Sequence, residues 1–344
     1  MEAGSAGHVL DFDDTYVPGL AHLSAPTAPA ALVLGAALGA SMSEVLDAYA
    51  DGFEAMGALA RSSHPALYER GWHPTAVCGA VGAAIAAARL LGHSGDEVAG
   101  RAARLALVQA GGLRRAFGSD AKSIQVGAAA AAGVIAARLA ERGVTATADL
   151  ATGPGGFEQA FGGSWAEPDS RPAVAENWIK AYPCCLQTHS PIEAAQRARQ
   201  RVGGELGQAA SIVVNVHPRA RQAAPYDAVS DGLQAKFSIP YTVAYTLLHG
   251  PPVELSAFDA VDREAEALSA AHIDVRLDDS LAETAARLEL DGDELALVEA
   301  ATGSPARPMT DAQLAAKVER LAGARLGGVL EGSARDALAA SGLG

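Results

Sequence analysis

The chain has 344 residues, of which 49% are hydrophobic but only 5% aromatic, and 40 acidic against 26 basic side chains give a formal net charge of −14. This length allows one large or two modest domains, and the acidic balance excludes the basic face on which electrostatic nucleic-acid binding depends. Three cysteines (Cys78, Cys184 and Cys185), with no CxxC or HExxH pattern, give no disulfide framework and no zinc site.

The apolar content is mostly alanine, the best helix former and one of the least bulky side chains. A mainly helical chain with closely packed helices is therefore expected. The N-terminus lacks the charged and apolar regions of a signal peptide. The longest apolar runs, such as residues 28–40, fall short of a membrane span. Cytoplasm is the expected location, with no membrane partner.

In chain order, residues 7–16 are polar and dense in acids, and Pro18-Gly19 breaks them. Pro26 and Pro29 precede a predicted helix over 30–40. Ser43 reads as the N-cap of a helix over 43–61. His64-Pro65 and Gly71-Trp72-His73-Pro74 punctuate the next connection, before a small-residue helix over 75–91. Residues 94–97 read as a capping box that opens a helix to about Gln109. Another helix is predicted over 123–141. Residues 153–157 form a glycine-rich loop, but no GK[ST] follows, so it is not a phosphate cradle. After about Cys185 the character changes: helix 189–199, strand 211–217, helix 237–249, strand 272–276, a strand within 295–301 and a final helix over 311–321.

Five stretches carry residues suited to chemistry. Asp11, Asp13 and Asp14, followed by Thr15 and then His22, crowd three carboxylates into four positions; either they cap a helix or at least one is shifted in pKa. His73 stands at a helix start, where the dipole favours a neutral imidazole able to act as base or donor, though an isolated histidine is more often a satisfied one. Lysine is scarce, occurring only at 122, 180, 236 and 317. Lys122 beside an apolar helix is either a point charge for a substrate carboxylate or a snorkelling side chain. Residues 180–189 hold Lys180, Tyr182, Cys184, Cys185 and His189 at the change of character, where clefts form; buried packing is the alternative for the two thiols. Lys236 to Tyr241 opens a helix with Pro240 in its first turn, a place that suits an anion or simply a cap.

These stretches (8–15 with 22–26, 71–79, 118–127, 180–189 and 235–241) together and in this order resemble the MmgE/PrpD family, which includes 2-methylcitrate dehydratase, cis-aconitate decarboxylase and iminodisuccinate epimerase. The resemblance covers nearly the whole chain. It implies a large helical domain made from both chain ends, here 1–185 plus 306–344, and a smaller α+β domain over 186–305. It also implies a homodimer, an active site in the cleft between domains, and neither cofactor nor metal. Family members usually carry several more helices ahead of the acidic motif, whereas seven residues precede His8 here. The decarboxylase and dehydratase branches place a histidine where Cys185 stands.

Carried over residue by residue, the resemblance implies a site of Asp11, Thr15, His22, His73, Lys122, Lys180 and Tyr241. Removing a proton next to a carboxylate builds charge on the carboxylate oxygens, which fixed cations stabilise more in the transition state than in the substrate. Thr15, His22, Lys122 and Lys180 would bind a small anionic substrate. His73 or Asp11 would take the proton and Tyr241 would serve as acid, with Cys185 and His189 as further candidates. The expected activity is that of a cofactor-independent lyase of the 2-methylcitrate dehydratase type. Epimerisation, isomerisation or decarboxylation of a related polycarboxylate is the first alternative, and a non-catalytic small-molecule binding protein the second.

Overall fold

Small residues decide how the helical part is built. In the computed structural model, which describes residues 1–165, 171–201, 211–322 and 332–342, the central helices approach until glycine is the only residue that fits. A Cβ on Gly133 would lie 2.5 Å from the Ala83 Cβ and 2.6 Å from the Ala84 nitrogen, and one on Gly82 would lie 2.8 Å from the Gly52 carbonyl oxygen. At such separations a single added methyl forces backbones apart.

The helices of this body are α1 (Glu2–Val9), α2 (Ser24–Leu38), α3 (Met42–Ser63), α4 (Ala66–Glu69), α5 (Pro74–Leu90), α6 (Glu97–Leu107), α7 (Ala121–Glu141) and α8 (Phe157–Phe161). Helix α5 is nearly all buried and packs between α3 and α7, with α2 and α6 against it. Helix α1 lies on α7 and α2. Helix α7, at 21 residues, is long and apolar enough to cross a membrane by length and composition, which differs from the sequence expectation; here it packs inside the bundle with more than half of its apolar window buried.

Helix starts differ from expectation for local reasons. Helix α2 begins at Ser24 and runs through Pro26 and Pro29; Pro26 falls in the first turn, where its missing N–H would have had no partner. The cap of α3 is Ser41, not Ser43: its hydroxyl accepts from the Glu44 N–H while the Glu44 carboxylate reaches back to the Ser41 N–H. For α6 the cap is Asp96, accepting from the Ala99 N–H.

The second part starts with α9 (His189–Arg201) and holds α10 (Pro218–Ala223), α11 (Gly232–Ala235), α12 (Ile239–His249) and α13 (Arg263–His272). Two short strands, β1 (Asp14–Tyr16) and β2 (Asn177–Ile179), pair antiparallel with Thr15 opposite Trp178. The larger sheet comprises β3 (Ile212–Val216), β4 (Ile273–Leu277), β5 (Ala286–Leu290) and β6 (Asp293–Val298) in the order β4-β3-β5-β6. Strand β3 is buried throughout, runs parallel to β4 and antiparallel to β5, and is covered by α9 and α12. The chain is thus mainly helical with a smaller α+β part. Strand β5 was absent from the sequence reading, although Ala286-Arg-Leu-Glu-Leu290 alternates apolar and polar residues. After the sheet, α14 (Asp311–Ala322) and α15 (Ala334–Ala340) follow, and α15 packs back on α2 and α3.

Candidate active site

The β1–β2 pairing brings distant residues together. In that register the strand ends stand side by side, so the Lys180 N–H donates to the Asp13 carbonyl at 3.3 Å. The Lys180 ammonium then donates to Asp13 Oδ1 at 2.9 Å and to the Asp11 carbonyl at 3.1 Å. From α7, the Lys122 ammonium donates to Asp11 Oδ1 at 2.5 Å and to His8 Nε2 at 2.7 Å. Lys236, just before α12, donates to the Val9 and Leu10 carbonyls. Lys317 on α14 donates to the Lys180 carbonyl and lies over the Phe12 ring. All four lysines of the chain are therefore buried and gathered around residues 8–13 and Lys180. Such burial of lysine is rare without pairing.

Asp11 is held at φ +53°, a left-handed backbone that aspartate adopts only infrequently. The turn it makes places its carboxylate against Lys122 rather than in solvent. Asp13 is the other anionic anchor: His8 Nδ1 donates to its Oδ2 at 2.6 Å.

Burial and these neighbours set the protonation states. Burial alone would raise the Asp11 and Asp13 carboxyls; the lysine ammoniums beside them, with the histidines, hold Asp11 below and Asp13 well below the ordinary carboxylate range. For Asp14, burial together with the adjacent Asp13 charge outweighs the hydrogen bonds from Ser24 and Asn177 and lifts it to about 6. Burial, reinforced by the Lys122 charge, lowers His8 and holds His73 well below the usual histidine value. His22 is likewise driven well down by burial, against the pull of the Asp13 charge and with the Lys180 and Lys122 charges adding to the fall. These imidazoles are neutral near pH 7.

Beside this cluster opens a small cavity of about 50 Å³, below the range usual for small-molecule sites, roughly 300–1,000 Å³. Asp11, Thr15, His22, His73, Lys122, Lys180 and Cys185 all line it. Each ammonium has three donors, and Lys122 and Lys180 each spend two on the protein, which leaves one apiece for a ligand.

Two sequence candidates lie elsewhere. Tyr241 is fully buried on α12, and its hydroxyl accepts from the Asp262 N–H at 2.9 Å; it is not part of the cavity wall, so the acid role suggested for it is not what its position supports. A helix start fixes where a residue lies along the axis but not which way it faces. His189 is buried edge-on against Tyr182, and burial lowers it to about 3. Cys185 does reach the cavity, but burial raises its thiol, so it is not an activated nucleophile.

Other lining residues were not singled out from the sequence: Tyr68, Phe117, Phe237, Gln187 and Arg219. Arg219 comes from α10 across the seam. Its guanidinium donates to His64 Nε2 at 2.8 Å and pairs with Glu283 at 3.1 Å, so it ties the α+β part to the helical body at the cavity. Only its place in the fold marks it among many arginines.

His8, Asp13 and His22 also place three possible ligand atoms within 4.8 Å of one another. Their hydrogen bonds use the ring nitrogens differently. His8 Nδ1 is spent on Asp13, and His22 Nδ1 donates to the Asp14 carbonyl at 2.6 Å. With the Lys122 and Lys180 ammoniums in contact with the same groups, this donor set suits protonated nitrogen better than a metal cation.

Comparison with known proteins gives a consistent result. Residues 1–167 match the MmgE/PrpD N-terminal domain and residues 182–339 the MmgE/PrpD C-terminal domain. A cis-aconitate decarboxylase of Homo sapiens is 30% identical over 218 residues, 59% of this chain and 44% of that protein. One of Aspergillus terreus is 29% identical over 279 residues, 71% of this chain and 56% of that protein. The chain spans about half the length of these relatives.

Proposed function

Given that the chain belongs to the MmgE/PrpD family, we propose that it is a lyase acting on a small polycarboxylic acid by chemistry at the carbon next to a carboxylate. The observation that carries this reading is the wall of the cavity. Lys122, Lys180 and Arg219 stand there, with Asp11 the one carboxylate among the lining residues and Asp13 and Glu283 pairing with Lys180 and Arg219 from behind, in a chain whose net charge is −14. A protein that concentrates its scarce cations in one cavity is built to hold an anion there. Those cations face the oxygens on which charge accumulates when a bond at the neighbouring carbon breaks, and in a water-poor site they act without reorganising.

Decarboxylation of an unsaturated tricarboxylate is the first reaction to test, since the relatives bear that name. In it the carbon–carbon bond to one carboxylate breaks and CO2 leaves without the bonding pair. The pair spreads onto the remaining conjugated carboxylate, and carbon then takes a proton. A second reading, dehydration of a hydroxy acid of the methylcitrate kind, is favoured by the neutral His22 of the wall, which is suited to accept the proton at the start. Both routes share a carbanion-like centre stabilised by the same lysines.

The test is a panel of di- and tricarboxylates, including cis-aconitate and 2-methylcitrate, incubated in deuterated water and followed by proton NMR. The expected result is an alkene product from one member, with CO2 and a carbon-bound deuteron if decarboxylation operates, or with water lost if dehydration does. Deuterium entering recovered substrate with no new product would make it an isomerase. No change in any member would leave it a binding protein.

A further inference from the structure

The two histidines of the cavity wall are both held at Nδ1 but in opposite senses, one accepting and the other donating, and the difference is set by residues behind them. Gln125, half-buried on α7, is one such residue. Its Oε1 accepts from the Leu113 N–H at 2.9 Å, and its Nε2 donates to the Leu113 carbonyl at 3.3 Å. This two-point contact with one backbone residue orients the carboxamide, because the reversed orientation would set oxygen against oxygen and donor against donor. The same Nε2 lies 2.6 Å from His73 Nδ1. An amide nitrogen has no lone pair to offer, so His73 Nδ1 is the acceptor and, in the neutral ring, the proton sits on Nε2. That Nε2 is buried and has no hydrogen-bond partner among the described residues, on a residue that lines the cavity. A buried donor without a partner has a cost unless a ligand satisfies it.

His22 is the mirror case. Its Nδ1 faces only oxygens: the Asp14 carbonyl at 2.6 Å, Thr15 Oγ1 at 3.3 Å and Asp13 Oδ2 at 3.6 Å. The Nδ1 proton is thereby assigned, and Nε2 carries the lone pair.

We propose that Gln125 is a positioning residue that fixes His73 as a hydrogen-bond donor to the substrate's carboxylate oxygen, while His22, locked in the opposite tautomer, is the group that takes the proton from carbon. This rests on the reading of the site as one for proton transfer next to a carboxylate. In the step, the C–H bond breaks and its proton goes to His22 Nε2, giving an imidazolium. The bonding pair moves into the carbon–carboxylate unit as an enediolate, whose oxygens are held by His73 Nε2–H and by the remaining donors of Lys122 and Lys180. His73 keeps its proton throughout, since a neutral imidazole that gave it up would become an imidazolate. The sequence expectation that His73 is the base is thus replaced: its lone pair points away from the cavity, at Gln125.

The experiment is long-range proton–nitrogen NMR of the histidine-labelled, substrate-free protein, wild type and Gln125→Glu and Gln125→Met, together with kcat and KM on whichever panel substrate is turned over. In the wild type, His73 is expected to show a protonated Nε2 and His22 a protonated Nδ1. In Gln125→Glu the introduced carboxylate accepts from Nδ1 instead, so the His73 pattern reverses and kcat falls by about 100-fold with KM within a few-fold. Gln125→Met, which pins neither nitrogen, gives a mixture of both forms and a smaller fall. A protonated Nδ1 on His73 in the wild type overturns the proposal, even if the variants do not fold. So does a reversed tautomer with undiminished kcat. Failure of the functional reading looks different: the wild-type tautomers are as expected but no polycarboxylate is converted.

Discussion

Replacing Lys122 with methionine is expected to reduce turnover by at least the 10²- to 10³-fold that follows loss of one preorganised oxyanion donor, about 3–4 kcal/mol. It is also expected to destabilise the fold. Lys122 is 5% and Asp11 3% exposed, and their charged atoms are 2.5 Å apart. Removing Lys122 leaves the buried Asp11 charge with only the more distant Lys236 ammonium at 3.8 Å, so a part of the roughly 3–5 kcal/mol that breaking a buried pair costs is expected. The two effects separate in the double variant Lys122→Met with Asp11→Asn. Neutralising Asp11 removes the stranded charge, so the midpoint of urea unfolding should recover most of its loss, while kcat should not. Recovery of turnover in the double variant would show that Lys122 serves only to hold Asp11, and its assignment to the substrate would be withdrawn.

A second large effect is expected from acid. His8, His22, His73 and His189 are all buried with lowered pKa, chiefly because burial disfavours the charged ring. Their unfolded value is 6.5. Above it neither state binds these protons and nothing is lost. Below it the unfolded chain protonates and the native one does not, so stability falls as pH falls. Each ring contributes up to about 1.4 kcal/mol per pH unit, and four together on the order of 5 kcal/mol per unit. Asp14 acts in the opposite sense: its folded value of about 6 against an unfolded 3.8 favours the protonated native state as pH drops through that interval, which offsets roughly one ring. At a net loss of about 4 kcal/mol per unit below pH 6.5, a domain stabilised by about 5 kcal/mol should lose its helical circular dichroism cooperatively near pH 5, and a more stable one at correspondingly lower pH. An unfolding free energy, read from urea denaturation, that does not fall between about pH 6.5 and 5 would mean that these rings are not held neutral. His189→Phe, which keeps the contact with Tyr182, should remove about a quarter of the histidine-driven slope and shift the midpoint to lower pH.

What could be read from the sequence follows from the range over which each signal acts. The helices were legible because alanine content, caps and glycine stops are local, and the shifts at Ser41 and Asp96 are of a few residues only. Lysine scarcity led directly to Lys122 and Lys180, because a residue that is cheap on a surface and rare here invites a reason. The β1–β2 pairing was not legible: two three-residue strands about 160 positions apart carry no period, yet this pairing is what sets Lys180 beside Asp13. His8 lay inside a recognised motif without its role being visible, since the role consists of contacts with Asp13 and Lys122. Tyr241 was misplaced and Gln125 unnoticed for the same cause. Which way a side chain faces, and which nitrogen of a ring meets a donor, are properties of packing rather than of spacing.

The account depends most on the claim that this cavity recognises several carboxylates at once through its buried cations. Titration calorimetry with propane-1,2,3-tricarboxylate, which carries the charges but no leaving group, addresses that claim without requiring turnover. One tricarboxylate should bind per chain, with binding abolished in the Lys122→Met, Asp11→Asn variant and largely retained at raised salt, as befits a buried site. Absence of saturable binding to the wild type, or equal binding to the variant, would contradict it.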